Sequence, residues 1–313
     1  MRRERPPGTP PSGNERPVGT ARAYALLVLL GALWGSAFPV IRYGILAGAS
    51  PIWFAGVRYG LAALVLAGLA FAARAPRPDP RSLGFSALAG LPIVGIYALL
   101  LYTGEVTTSG GLAAILVAVT PLATVPFALQ LLPGESFGRL GYVGLAAGFA
   151  GVLVLVAPPP GEQLATSVWG PLAVLGASVS FAAGTVLLRA RRPQGETIWG
   201  LSAQFGAAAV FLVAATLLLE PRPALPATPG VELALVYLIF VPAVIGNSLY
   251  FYLHHHVGPG QANVVAYVNP VAALAIGTLV LGEPFSWWEL VGLGFIVVGL
   301  TLLAKSRRSP AAK

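Results

Sequence analysis

From Tyr24 onward the chain alternates between long apolar stretches and short polar ones, and no polar segment between them is long enough to form a soluble domain. Ten apolar runs can be read, over residues 24–43, 51–73, 86–104, 109–131, 138–157, 168–188, 198–219, 231–253, 261–281 and 286–304. At about 1.5 Å per residue, each is long enough to cross a hydrocarbon core of roughly 30 Å. The pattern predicts an all-α integral membrane protein with ten transmembrane helices. The runs are twice the length of the roughly ten-residue alternating segments of an outer-membrane barrel. Residues 1–21, "MRRERPPGTPPSGNERPVGTA", have no apolar period and are read as a disordered cytoplasmic tail. The first apolar run starts too late and continues too long for a signal peptide.

The two halves of the pattern repeat. Aligning Gly111 with Gly260 also aligns Ala113 with Ala262, Val119 with Val268, Pro121 with Pro270 and Ala123 with Ala272. After a one-residue gap, Glu135 meets Glu283, Phe137 meets Phe285, Val143-Gly144-Leu145 meets Val291-Gly292-Leu293, and Gly151 meets Gly299. Upstream, Gly31-Ala32 meets Gly176-Ala177. Each half has five spans, an odd number, so the second half enters the membrane from the opposite side. Such an inverted repeat is a signature of alternating-access carriers, with the binding site near the midplane between the halves. The division expected is a first five-helix repeat over 22–157, a periplasmic linker over 158–166, a second repeat over 167–304, and a basic cytoplasmic tail over 305–313.

Charge adds orientation. Of the 19 Arg and Lys residues, 16 fall on one side of the ten-span pattern, including Arg22, Arg74, Arg77, Arg81, Arg139, Arg189, Arg191 and Lys305. Only Arg42 and Arg222 fall on the other, and Arg58 lies within a span. The positive-inside bias places both termini in the cytoplasm. Composition agrees: 56% of residues are hydrophobic and 10% charged, against about 25% charged in soluble domains. The net charge of +8 is distributed where membrane topology needs it, which argues against a nucleic-acid partner. Without cysteine, neither disulfide nor thiolate-metal chemistry is open to the chain. The partners expected are the lipid bilayer and a small-molecule substrate, and no cofactor or metal is called for.

Several motifs then fall in a familiar order. Trp34-Gly35-Ser36 with Pro39 stands in the first span, and "SPIWFAGVRYG" carries Arg58 into the second. "GLAAILVAVTPL" is followed by Gly134-Glu135, and "YVNPV" and "LVLGEPF" come in spans nine and ten. Over residues 22–304 the chain resembles the drug/metabolite transporter superfamily in its EamA-type branch, as two copies of that family's five-helix unit. The resemblance implies a bacterial inner-membrane carrier for a small metabolite, commonly an exporter of amino acids or related compounds. The family's substrates also include sugars, nucleobases and drugs.

Candidate site residues come from polar or bulky groups where lipid would want neither. Trp34 lies near mid-span rather than at the interface and shares a face with Phe38 and Ile41 beside the helix-bending Pro39. It is read as lining a substrate cavity or as a packing indole whose N–H bonds a carbonyl. Arg58 is costly at its depth and calls for a partner. Glu105, at the outer end of a neighbouring span, is the carboxylate available, so an Arg58–Glu105 pair at the outer mouth is expected. The alternative is an Arg58 that snorkels to the interface. Gln204, Asn247, Tyr250, Asn263 and Tyr267 supply uncharged amides and phenols suited to a polar solute, or to bonds between helices. Pro121 and Pro270, at equivalent points, are expected to break spans four and nine. Gly141, Gly144, Gly148 and Gly151 form one stripe for close packing, either against span ten or against a second protomer in a homodimer.

Three features carry less. "GESFG" matches a hydrolase pattern but lies in a loop between spans, outside the strand–turn–helix that chemistry requires. His254-His255-His256 point in different directions on a helix and are read as interfacial, with pH sensing as the alternative. Glu135 and Glu283 are read as helix caps. No span has a carboxylate near its middle, so a deep carboxylate relay for protons is not expected, and coupling through Glu105 or a histidine is left open. No nucleotide-binding loop is present. The function expected is secondary transport of a small polar or amphipathic metabolite, amino-acid-like by preference and outward in direction. An uptake permease of the same fold is the first alternative, and a membrane enzyme or lipid-handling protein the second.

Overall fold

The computed structural model describes residues 20–132, 138–157, 168–191, 197–254 and 259–306. Among these, nine apolar helices of 18 residues or more are long enough to cross a membrane, and a tenth apolar stretch covers Val264–Leu279. No strand occurs among the described residues. Span 1 is α1 (Thr20–Gly35) and α2 (Ala37–Leu46), and span 2 is α3 (Pro51–Ala72). Span 3 is α4 (Pro80–Gly90), a π-helical stretch π1 (Leu91–Ile96) and α5 (Tyr97–Gly104). Span 4 is α6 (Gly110–Val117) and α7 (Thr120–Leu131), and span 5 is α8 (Arg139–Val156). Spans 6 and 7 are α9 (Trp169–Arg191) and α10 (Ile198–Leu219). Span 8 is α11 (Pro229–Leu238), a second π stretch π2 (Ile239–Gly246) and α12 (Asn247–His254). Spans 9 and 10 are α13 (Pro259–Leu279) and α14 (Trp287–Ser306).

The ends of the spans are set by local chemistry. Pro51, Pro80 and Pro229 stand in first turns, where a missing N–H costs nothing. Asp79, Ser109, Thr197 and Thr228 accept from N–H groups of the helices they precede. The start of span 2 is capped from far away in sequence: the Glu220 carboxylate accepts from Ile52 N at 2.9 Å and Trp53 N at 3.0 Å. Two tight turns require glycine, Gly48 with φ +98° and Gly282 with φ +67°.

Packing obeys an exchange of halves. Span 2 lies along span 7 and span 5 along span 10. Span 1 packs on span 9 as span 4 packs on span 6, and span 3 packs on span 6 as span 8 packs on span 1. These are the pairings an inverted repeat of five helices dictates. The outside of the bundle is a lipid-facing surface of leucine and valine, with Leu218 83% and Leu279 84% exposed.

The glycine stripe of span 5 finds its neighbour within the chain. A Cβ at Gly144 would stand 2.6 Å from the Gly299 carbonyl oxygen, and one at Gly151 2.7 Å from that of Gly292. The matched glycines of the two repeats thus meet face to face in the contact of spans 5 and 10.

Two expectations about prolines part company. Span 4 is interrupted at Ala118-Val119, just before Pro121. Span 9 is not broken: α13 runs through Pro270. One missing backbone bond does not end a helix where no water is at hand to take over the rest. In span 1 the interruption falls at Ser36, and Pro39 lies in the first turn of α2.

Candidate functional site

The deepest irregularities are the two π stretches. Both occupy the third helix of a repeat, and both contain a proline, Pro92 in π1 and Pro242 in π2. A π turn frees backbone carbonyls from regular bonding, and in hydrocarbon those carbonyls need donors. In each case the donor comes from the first helix of the other repeat. Ser180 of span 6 donates its hydroxyl to the Pro92 carbonyl at 2.8 Å, and Trp34 of span 1 donates its indole N–H to the Pro242 carbonyl at 3.2 Å.

Trp34 is therefore part-buried with its N–H bonded to a carbonyl, and the carbonyl belongs to an interrupted helix. Its ring lies 5.5 Å from that of Tyr250. Asn247 donates to the Ala243 carbonyl at 2.8 Å and to the same Pro242 oxygen at 3.4 Å. Close by, Tyr237 donates its hydroxyl to Ser36 Oγ at 2.7 Å, and Ser36 donates to the Leu33 carbonyl at 2.8 Å. The break in span 1 and the interrupted span 8 are thus stitched together by Trp34 and by the Tyr237–Ser36 pair, while Asn247 supports the same Pro242 carbonyl from within span 8. Tyr237 was not singled out from the sequence, and Ser36 was noted there only within the Trp34-Gly35-Ser36 motif, not as a site residue. The signal was a Ser at the break between two helical stretches.

A second cluster surrounds Arg58. Its side chain is buried, at 6% exposed, and Nη1 donates to the Tyr102 hydroxyl at 2.7 Å. The guanidinium stands 4.9 Å from the centre of the Tyr59 ring, a cation–π contact. Tyr102 also meets Phe54 edge-on at 6.0 Å, and Tyr59 meets Phe205 at 5.1 Å. Arg58 does not reach the interface, and the hydrogen bond drawn from it goes to a phenol, with no ion pair formed to Glu105. The Tyr102 hydroxyl and the Tyr59 ring meet part of the need of the guanidinium without a second buried charge, while its Nε is buried with no hydrogen-bond partner among the described residues.

The third cluster closes the end of the bundle that carries Arg42, Glu105, Glu220 and Glu283, hereafter the acidic end. Glu283, in the turn between spans 9 and 10, accepts from Gly110 N at 3.0 Å and Gly111 N at 3.3 Å, the first N–H groups of α6. It is a cap, as expected, but of span 4 rather than of the helix that follows it. Arg42 approaches the same carboxylate, Nε to Oε1 4.0 Å, and donates Nη1 to the backbone carbonyl of Glu105. Gly110 lies so close to span 1 that a Cβ there would be 2.6 Å from Pro39. The Glu105 side chain is fully buried, and both carboxylate oxygens lack a hydrogen-bond partner among the described residues.

The remaining candidates are spread out. Phe38 is in the core, at 4% exposed. Gln204 is buried, where Gly90 of span 3 comes within 2.5 Å of its backbone, measured to an added Cβ. Tyr267 is half-buried, with its hydroxyl 3.5 Å from Thr301 Oγ1. The side chains of His254 and Asn263, together with Glu135, His255 and His256, lie outside the described residues. A cleft of about 390 Å³ at the opposite, basic end, lined by Phe71, Arg74, Arg77 and Trp199 among others, is remote from all three clusters. Among the described residues no group of three His, Cys, Asp or Glu side chains is placed to hold a metal ion.

Comparison with known proteins agrees with this architecture. The model of the EamA-like transporter family matches the chain twice, over residues 21–157 and 168–305. The uncharacterized inner membrane transporter YedA of Escherichia coli (strain K12) is 34% identical over 286 residues, covering 89% of this chain and 91% of that protein. A probable terminal-alkyne amino-acid exporter of Streptantibioticus cattleyicolor is 29% identical over 291 residues, covering 90% and 93%. A solved crystal structure with 20% sequence identity superposes with a TM-score of 0.62, over 91% of this chain and 98% of the other, and shares the fold. With two matched repeats, ten apolar segments and relatives aligned along nearly their full length, the chain belongs to the EamA-like transporter family.

Proposed function

We propose that this chain is a secondary carrier that exports a small polar or amphipathic metabolite, with an amino-acid-like solute favoured, by alternating access. The observation that carries the reading is the pair of π-helical interruptions. Each lies in the third helix of its repeat and is held by a side chain from the first helix of the other repeat. Interrupted helices within a bilayer are tolerated where they line a cavity or move, and in inverted-repeat carriers they surround the solute. Trp34, Tyr237, Ser36 and Asn247 form one wall of the proposed binding region. Tyr250 stacks beside it, and Arg58 with its tyrosines offers a cation for a solute carboxylate. The basic end faces the cytoplasm by the positive-inside bias, which puts the acidic end and its clasp outside. The amino-acid preference is supported by the relative described as an amino-acid exporter.

The test is counterflow in proteoliposomes loaded with a mixed panel of amino acids, sugars, nucleobases and cationic drugs, with efflux followed by mass spectrometry. Selective efflux of an amino-acid-like solute, lost in Trp34→Ala and Arg58→Ala, is the expected result. Efflux of a different class alone would overturn the substrate preference, and efflux unaffected by both substitutions would move the binding region elsewhere.

A further inference from the structure

The acidic end presents two carboxylates to one arginine. Glu283 takes the favourable place: it has two helix N–H donors and Arg42 at 4.0 Å. Glu105 has neither. Its backbone carbonyl, not its carboxylate, receives the Arg42 hydrogen bond, and its two carboxylate oxygens are buried without a donor among the described residues. An ionised carboxylate in that setting would have no hydrogen-bond donor among the described residues, whereas a neutral carboxyl group loses much less by being enclosed. The other charged and titratable groups around it are Arg58 on span 2, engaged by Tyr102 and Tyr59, and Tyr97 and Tyr102 on its own span. On the span 6 side, Gly170 and Val174 are the nearest neighbours of Gly104, the residue before it.

We infer that Glu105 is a proton-binding site, and that its bound proton holds the acidic end shut. Neutral, Glu105 stays enclosed and leaves Arg42 to serve Glu283 and the α6 N-terminus. Once it loses its proton to water or hydroxide at the mouth, the carboxylate needs a donor. It obtains one by drawing Arg42 away or by admitting water, and either movement loosens the clasp between spans 1, 4 and 9. Burial raises the Glu105 carboxyl well above the ordinary carboxylate range, the negative Glu283 adds to this, and Arg42 and Arg58 oppose it. Because the pKa is raised in the folded state, the contribution of Glu105 to stability is complete below its unfolded pKa. It is lost as pH rises through the folded pKa. The role in gating rests on the transporter reading above, whereas proton binding does not.

The chain has no cysteine, so a single reporter can be placed at Thr108, which is 2% exposed beside the clasp. Thr108→Cys is reacted with a membrane-impermeant maleimide from about pH 6 to about pH 9, with and without Glu105→Gln. Each rate is referenced to the denatured protein, which removes the intrinsic titration of the thiol. A corrected rate that climbs several-fold with pH in the Glu105 background and stays low and flat with Glu105→Gln is expected. Equal pH dependence in both backgrounds, or none in either, overturns the gating role. Infrared spectroscopy of the otherwise unaltered protein reads the proton directly. The carbonyl stretch of a protonated carboxyl group at neutral pH should lose a component in Glu105→Gln and keep it in Glu283→Gln, and an unchanged band overturns the proton site. Glutamine is a neutral stand-in for the protonated acid, so Glu105→Gln should fold and should lose less thermal stability in alkali than wild type. A Glu105→Gln protein that fails to fold would show that the anion is required, as a counter-charge to Arg42 or Arg58, and would also overturn the inference. None of these measurements needs a transported solute, so failure of the carrier reading would be seen separately, as absence of counterflow.

Discussion

The Pro242 carbonyl accepts from two side chains, since Trp34 and Asn247 both donate to it. Removing one donor leaves the other, so Trp34→Phe or Asn247→Ala alone should cost about 1 kcal/mol. Removing both leaves a carbonyl stranded in hydrocarbon, and the double variant should lose about 1–3 kcal/mol more than the sum of the singles. Thermal unfolding in detergent measures the cycle, and simple additivity would show that the two bonds are independent. Arg58 makes a similar point. Tyr102→Phe removes the hydrogen bond to a buried guanidinium and should cost about 1.5–3 kcal/mol, the range for bonds to charged groups. Both residues behind these effects, Trp34 and Arg58, stood out in the sequence because indoles and guanidinium groups are rare in mid-membrane. Their partners did not: Tyr102 and Pro242 are ordinary membrane residues until a neighbouring helix turns toward them.

At the level of helices, glycine spacing is the readable code, and its meaning depends on what lies opposite. Gly294 and Gly299 are both on α14. A Cβ at Gly299 would come within 2.6 Å of the Gly144 carbonyl oxygen, whereas one at Gly294 meets nothing within 4 Å. Gly299→Ala should therefore separate spans 5 and 10 and cost about 1–3 kcal/mol. Gly294→Ala should be neutral or add up to about 1 kcal/mol of helix stability. Melting temperatures of the two variants in the same detergent decide the matter, and similar values would mean that the two spans do not pack through these glycines. The π stretches are the counter-case. Nothing in the apolar runs of spans 3 and 8 marks Pro92 and Pro242 above Pro121 and Pro270, yet the first two sit in π turns while α13 passes through Pro270 unbroken. Whether a proline bends, widens or merely notches a helix depends on which donors the adjacent helices bring to the freed carbonyl.

For the whole molecule, the exchange of halves makes the two ends comparable and opposite. The acidic end is held by contacts among spans 1, 4 and 9 and the turn after span 9. Gly110→Val should keep that end from closing, because its first added carbon would already stand 2.6 Å from Pro39. Counterflow should fall by at least about tenfold, as expected for a carrier that alternates only when one end can shut. Normal counterflow by Gly110→Val would mean that this contact is not part of the cycle. Orientation is tested by fusing the C-terminus to a reporter that functions only in the cytoplasm. An active fusion is expected, since the basic residues gather at the end where span 1 begins and span 10 finishes.

The sequence by itself determined what the bilayer enforces: the number of apolar segments and their order, the division into two five-helix halves, the end that is basic, and the family. A hydrocarbon slab leaves few solutions for a backbone with unsatisfied polar groups, so those features follow from composition and period. It did not determine which way each helix is rotated. In a soluble protein the apolar stripe announces the buried face, but here core and lipid are equally apolar, and the pattern is silent on facing. That rotation, decided only in the tertiary structure, is what gave the span 5 glycines to span 10 and Arg58 to Tyr102. It also set Glu283 on the end of span 4 and left the carboxylate of Glu105 enclosed without a donor among the described residues.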